Sequence, residues 1–69
     1  MNEWLAARAK ALGIDELTPD EISLLLDLAG DAAHESGTRT NAPLLCYLVG
    51  RAQGGRTLEE LAEIVRSTS

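Results

Sequence analysis

The shortness of the chain limits what it can fold into more than any motif does. With 69 residues it has room for one domain, residues 1–69. A domain of this size buries only about 60% of the surface that its unfolded chain exposes. Small chains compensate with disulfides, metals, self-association or closely packed helices. Cys46 is the only cysteine, which excludes an intrachain disulfide and a zinc site built from several thiolates. Helix packing or self-association therefore has to stabilise the fold.

Four segments carry the start signals of short helices, which predicts an all-α bundle. Asn2 is placed to cap a first helix, and Gly13 is placed to end it. Thr18 and Glu21 have the spacing of a capping box, in which each side chain binds the other residue's backbone N–H. Thr57 and Glu60 repeat this pattern. The predicted helices cover residues 3–12, 19–35, 42–53 and 58–67.

The third predicted helix is apolar on nearly every side, which indicates that it is the central one. Its run Leu44–Val49 is short enough to be a buried strand as well. No second strand is available to pair with it, so a helix is preferred. Asn41 is placed to cap this helix, and Gly50 offers a small surface where a neighbouring helix approaches closely.

The second predicted helix has a broad apolar face, and Leu24 and Leu28 fall outside it. The face consists of Ile22, Leu25, Leu26, Ala29, Ala32 and Ala33. If Trp4, Leu24 and Leu28 form one exposed apolar surface, they mark an interface. The alternative is that helices one and four cover them. Arg8, one turn after Trp4, is placed to lie over the indole ring.

The charge balance argues against a nucleic-acid partner and against an anionic membrane surface. Six basic residues stand against eleven acidic ones, giving a net charge of −5, whereas nucleic-acid binding needs Lys and Arg to displace counterions. The longest apolar run is far shorter than the ~20 residues that span a bilayer. A lone cysteine without a signal peptide is typical of the reducing cytoplasm, where we expect this chain.

One polar cluster is placed to carry chemistry. Asp27, Asp31 and His34 have the spacing i, i+4 and i+7, and therefore share one face of the second helix. Two carboxylates and an imidazole are able to hold a metal or position a base, and Arg39 from the next loop completes such a site. The simpler alternative is that Asp31 and His34 pair on a solvated face. We assign no cofactor, no metal and no catalytic residue, and favour a role other than catalysis.

Two segments resemble a small bacterial helical family of unassigned function. They are Leu26–His34, which contains Asp-x-x-x-Asp-Ala-Ala-His, and Ala42-Pro43-Leu44 followed by Tyr47-Leu48-Val49-Gly50. Some members stand alone, and others are similar to the C-terminal extension of molybdenum-cofactor guanylyltransferase-like proteins. The family often has Arg-Pro before the Ala-Pro step, whereas Thr40 follows Arg39 here, so this loop is expected to differ.

The resemblance implies an association with molybdopterin guanine dinucleotide biosynthesis, without implying an activity. It also implies that the family's shared polar residues fall on Asp27, Asp31, His34 and Arg39. The first hypothesis is therefore an accessory or protein-interaction module, whose partner is a nucleotidyltransferase-type protein or a second copy. The alternative is a small-ligand or metal-binding protein that uses the same four polar residues.

Overall fold

Four helices in the order expected from the sequence make up the fold. A computed structural model describes residues 1–68. The helices are α1 (Glu3–Leu12), α2 (Pro19–Ser36), α3 (Asn41–Ala52) and α4 (Leu58–Ser67). No strand occurs in the described range. The all-α prediction is confirmed, and every helix end lies within one residue of its expected position.

Local hydrogen bonds explain where α1 begins and ends. The backbone N–H of Leu5 donates to Asn2 Oδ1 at 2.9 Å, so Asn2 caps the helix as expected. Gly13 adopts the left-handed conformation, with φ 74°. This turn lets the N–H of Ile14 donate to the carbonyl of Ala9 at 3.0 Å, which satisfies a free carbonyl at the helix end.

The capping box predicted for α2 is complete, and the one predicted for α4 is half formed. The N–H of Glu21 donates to Thr18 Oγ1 at 3.1 Å, and the N–H of Thr18 donates to Glu21 Oε1 at 2.9 Å. At α4 the N–H of Glu60 donates to Thr57 Oγ1 at 3.1 Å. In the described part of the chain, the Glu60 carboxylate makes no return bond.

The start of α3 differs from its prediction. Asn41 is already helical, and the residue before it, Thr40, makes no capping hydrogen bond with its side chain. Thr40 has helical backbone angles (φ −69°, ψ −15°), whereas a capping residue normally needs an extended backbone. Instead, a turn leads into the helix, because the N–H of Asn41 donates to the carbonyl of Thr38 at 3.1 Å.

The core lies where α2, α3 and α4 meet. Its centre is formed by Val49, Leu58 and Leu61, and partly buried side chains pack around them: Leu24, Leu25, Leu45 and Val65. Leu28 is the most deeply buried side chain among residues 1–68, with 1% of its surface exposed.

The predicted orientation of α2 is therefore only partly correct. Five residues of the predicted inner face are partly buried, as expected: Ile22, Leu25, Ala29, Ala32 and Ala33. Leu24 and Leu28 face α3 and α4 instead of forming an exposed interface, while Leu26, placed on the inner face by the sequence, is 68% exposed. The cause is the apolar surface of α2, which extends around more than half of the helix, so that its pattern alone does not select the buried side.

Only one side of α3 is enclosed. It packs along α2 and against α4, but Leu44, Tyr47 and Leu48 on its other flank are exposed. Gly50 does not mediate a close approach, because a Cβ built there meets no atom within 4 Å. The sequence predicted that three helices surround α3. In the described chain, only α2 and α4 pack against it.

α1 stands apart from the other three helices. Within the described chain, no Cα of α1 lies within 8 Å of a Cα in another helix. The radius of gyration is 12.5 Å, against about 11 Å for a compact chain of this length. The expectation that α1 helps to cover Leu24 and Leu28 is therefore wrong, and α3 and α4 provide that cover.

Candidate interaction surfaces

The described chain exposes more large apolar side chains than it buries. Six apolar residues are buried, and two of these are alanines. Nine large apolar side chains are exposed: Trp4, Leu5, Leu12, Ile14, Leu26, Leu44, Tyr47, Leu48 and Ile64. Isolated exposed apolar residues need no explanation, whereas contiguous ones mark interaction sites. Seven of the nine fall on two surfaces.

The first surface, here called the α1 face, consists of Trp4, Leu5 and Leu12. At 100° per residue these three side chains lie within a 100° arc of the helix. Trp4 is 62% exposed and Leu12 is 74% exposed. No Cα of another helix in the described chain lies within 8 Å of α1. The apolar stripe is therefore largely exposed, although Leu5 is partly covered and Ala9, next to it, is buried.

Arg8 lies in the middle of the α1 face and contacts the indole ring. Its guanidinium carbon is 3.8 Å from the centroid of the Trp4 ring, as the sequence predicts. Its Nη1 also donates to the Trp4 carbonyl at 3.5 Å. An exposed cation–π contact of this kind is worth about 0.5–1 kcal/mol. Arg8 thereby restricts the orientation of the ring and leaves most of the ring accessible.

The second surface, here called the α3–α4 face, consists of Leu44, Tyr47 and Leu48 on α3 and Ile64 on α4. These four side chains are between 50% and 67% exposed. A groove of about 380 Å³ runs between the two helices, with Leu48 and Ile64 among its lining residues and the buried Val49 as part of its wall.

The charges on the α3 side of the α3–α4 face are unlike those of the rest of the chain, whereas α4 carries Glu60 and Glu63 near Ile64. No acidic residue occurs between Glu35 and Glu59, a stretch that contains three of the six basic residues. Arg51 lies with its guanidinium carbon 5.9 Å from the Tyr47 ring centroid. Arg56 lines the groove, and its Nη2 donates to the Ala52 carbonyl at 2.9 Å.

The polar residues singled out by the sequence are distributed over two elements of the fold. Asp27, Asp31 and His34 are exposed on α2, and Arg39 is exposed in the turn before α3. Asp31 pairs with Arg66 of α4 at 3.7 Å, and not with His34 as the simpler alternative supposed. Across residues 1–68, no group of three or more His, Cys, Asp or Glu side chains is arranged to hold a metal ion.

A family described as a domain of unknown function (DUF6457) has a model that matches residues 1–69. The chain belongs to this family. No curated protein and no solved structure gives a significant match. The DUF6457 match spans all four helices, so both apolar surfaces lie within the family's domain. No helix in the described part of the DUF6457 chain is long and apolar enough to cross a membrane.

Sequence reasoning found Trp4 and missed the α3–α4 face of this DUF6457 domain. The uniform apolar pattern of α3 indicated a fully buried helix, because it offered no polar side to turn toward solvent. The length of the chain could have indicated that part of α3 is exposed. A domain this small leaves about 40% of the surface of its unfolded chain exposed, which favours an exposed flank even on an apolar helix such as α3.

Proposed function

We propose that this DUF6457 chain is a non-catalytic protein-interaction module that binds a partner protein through the α1 face. The observation that carries the proposal is the position of α1. This helix presents Trp4, Leu5 and Leu12 to solvent and lies apart from the helices that form the core.

The length of α1 supports a role in binding. Isolated helices shorter than about 12–15 residues gain too little from their own hydrogen bonds to be stable in water. α1 has 10 residues, and Ala9 is the one residue of it that the rest of the described chain buries. The caps at Asn2 and Gly13 help to maintain the helix. A partner that buries Trp4 and Leu12 supplies the packing that the rest of the chain does not.

Two residues on this side of α1, Trp4 and Arg8, are of types that dominate binding energy at interfaces. Trp and Arg are enriched among the few interface residues whose truncation costs 2 kcal/mol or more. Trp4 and Arg8 are already in contact in the free chain, so that less side-chain ordering is required when the partner binds. Leu12 extends the same stripe toward the end of the helix.

The resemblance noted from the sequence supports a nucleotidyltransferase-type protein as the partner, and thus a place in molybdopterin guanine dinucleotide biosynthesis. The resemblance implies that some relatives carry this domain as an extension that follows a catalytic domain. In such a chain, a helix at the position of α1 would come first after that domain, where its apolar face could reach it. A stand-alone chain would use the same face to bind a separate enzyme.

Binding of the whole chain to a purified molybdenum-cofactor guanylyltransferase, measured by isothermal titration calorimetry, tests the proposal. We expect Trp4→Ala and Leu12→Asp each to weaken binding at least tenfold, as truncation of a central contact does. Leu26→Asp is the matched control, because Leu26 is exposed to a similar degree on α2. Circular dichroism verifies that helix content is retained in all three variants.

Two results would overturn the proposal. One is the absence of binding by the unmodified chain. The other is equal binding by the Trp4→Ala, Leu12→Asp and Leu26→Asp variants, which would place the contact elsewhere on the molecule.

A further inference from the structure

We infer that the α3–α4 face binds the same face of a second copy, so that the chain forms a two-fold symmetric dimer. This surface is separate from the α1 face and does not include any of its residues. The dimer therefore leaves Trp4 and Leu12 free for a different partner.

The centre of the α3–α4 face is apolar and continuous. Leu48 lines two depressions, the groove toward α4 and a smaller cleft toward the end of α2. Leu44 is part of the cleft, and Ile64 is part of the groove. A ridge at Leu48 with a depression on either side has the shape needed to interlock with its own copy, since each ridge can enter a depression of the other copy.

The charges at the two ends of this face are opposite. Arg51 lies in the last turn of α3, and Arg56 lies in the loop that follows it. Glu35 lines the cleft at the other end together with Leu44 and Leu48, although Arg39 in the turn before α3 also lies toward that end. In a two-fold dimer whose axis passes near Leu48 at right angles to α3, the two α3 helices run antiparallel. Arg51 of each copy then approaches Glu35 of the other.

Such self-complementarity is the specific requirement of a two-fold interface. Residue i of one copy contacts residue j of the other, and the reverse contact occurs as well. A face with charge of one sign throughout would repel its own copy. The opposite charges of Arg51 and Glu35 at its two ends favour antiparallel pairing over a parallel arrangement, in which like charges would meet.

The size of the apolar centre indicates a weak dimer. A large aliphatic side chain corresponds to on the order of 100 Å² of apolar surface. The exposed fractions of Leu44, Tyr47, Leu48 and Ile64 then provide roughly 250 Å² per copy, which suits the core of an interface near the lower limit of about 1,200 Å² in total. Interfaces of this small size are typical of weak, transient association, so we expect the dimer to form only toward high protein concentration.

Sedimentation equilibrium of the full chain over a concentration series from roughly 10 µM to 1 mM tests this inference. The average mass should rise from 7.4 kDa toward twice that value. Leu48→Asp should hold the chain at the monomer mass. Leu12→Asp, which changes the α1 face, is the matched control and should dimerise as the unmodified chain does.

A charge exchange tests the arrangement of the two copies. Arg51→Glu and Glu35→Arg should each weaken the dimer several-fold, and the chain that carries both changes should recover most of the loss, since the pair is restored across the interface. A monomer at every concentration, or a dimer unaffected by Leu48→Asp, would overturn the inference. The guanylyltransferase titration is independent of these results, because it reports on Trp4 and Leu12.

Discussion

Asp31 of α2 and Arg66 of α4 form an ion pair across the helix boundary, with Oδ2 and Nε 3.7 Å apart. Both side chains are about half exposed, at 53% and 49%. An ion pair in that environment contributes about 0–1 kcal/mol, because water screens the charges and the long side chains lose freedom. The pair connects α2 to α4. Asp31 therefore pairs with Arg66, and not with His34 as the sequence alternative proposed.

This arrangement predicts that the polar face of α2 contributes little to stability and does not hold a metal. Asp31→Ala and His34→Ala should each lower the free energy of unfolding by less than about 1 kcal/mol in urea titrations. Thermal midpoints of the unmodified chain should remain unchanged with Zn²⁺, Ni²⁺ or Mg²⁺. A metal that raises the midpoint of the unmodified chain and not that of His34→Ala would contradict this prediction and restore the ligand-binding hypothesis.

The two threonines that precede α2 and α3 should respond differently to substitution. Thr18 caps α2 in a complete capping box, whereas the Thr40 side chain makes no capping hydrogen bond to α3. Thr18→Ala should therefore lower the free energy of unfolding by about 1 kcal/mol. Thr40→Ala should change it by less than about 0.5 kcal/mol. Equal losses in the two variants would show that Thr40 also stabilises its helix.

Leu28 and Leu26 provide a matched test of the orientation of α2. Leu28 is 1% exposed and Leu26 is 68% exposed. Leu28→Ala should cost about 2–5 kcal/mol, since it removes buried methyl groups and leaves a cavity. A chain this short has roughly 3–10 kcal/mol of stability, so this variant should unfold at a much lower urea concentration than the unmodified chain. Leu26→Ala should unfold at nearly the same urea concentration as the unmodified chain, and the reverse order would contradict this orientation of α2.

The helix ends were predictable because the groups that determine them are adjacent in sequence. Asn2 and Thr18 each bind a backbone N–H three residues ahead, and Gly13 ends α1 through its own backbone conformation. The stacking of Arg8 on Trp4 was predictable for the same reason, since residues four apart on a helix are neighbours.

The buried faces were less predictable because they depend on where the other helices pack. Apolar residues surround most of α2, and only contact with α3 and α4 determines that Leu28, and not Leu26, is buried. α3 is apolar on nearly every side, so its pattern did not indicate that the flank at Leu48 is exposed. The ion pair of Asp31 was not predictable from the order of charged residues either, because its partner Arg66 is 35 positions away in the sequence.

Gly50 and Gly13 should respond to the same substitution in opposite directions. Gly50 lies within α3, and a Cβ built there meets no atom within 4 Å. Gly50→Ala should therefore raise the free energy of unfolding by about 0.5–1 kcal/mol, because Ala loses less backbone freedom in a helix than Gly does.

Gly13→Ala should instead lower the free energy of unfolding by about 1–2 kcal/mol, because the φ of 74° at this position is unfavourable for a residue with a Cβ. Urea unfolding of the two variants, followed by circular dichroism, measures both changes. If Gly50→Ala were destabilising, a neighbouring group would have to contact α3 at this position, as the sequence first suggested. That result would contradict the open surface that the structure shows around Gly50.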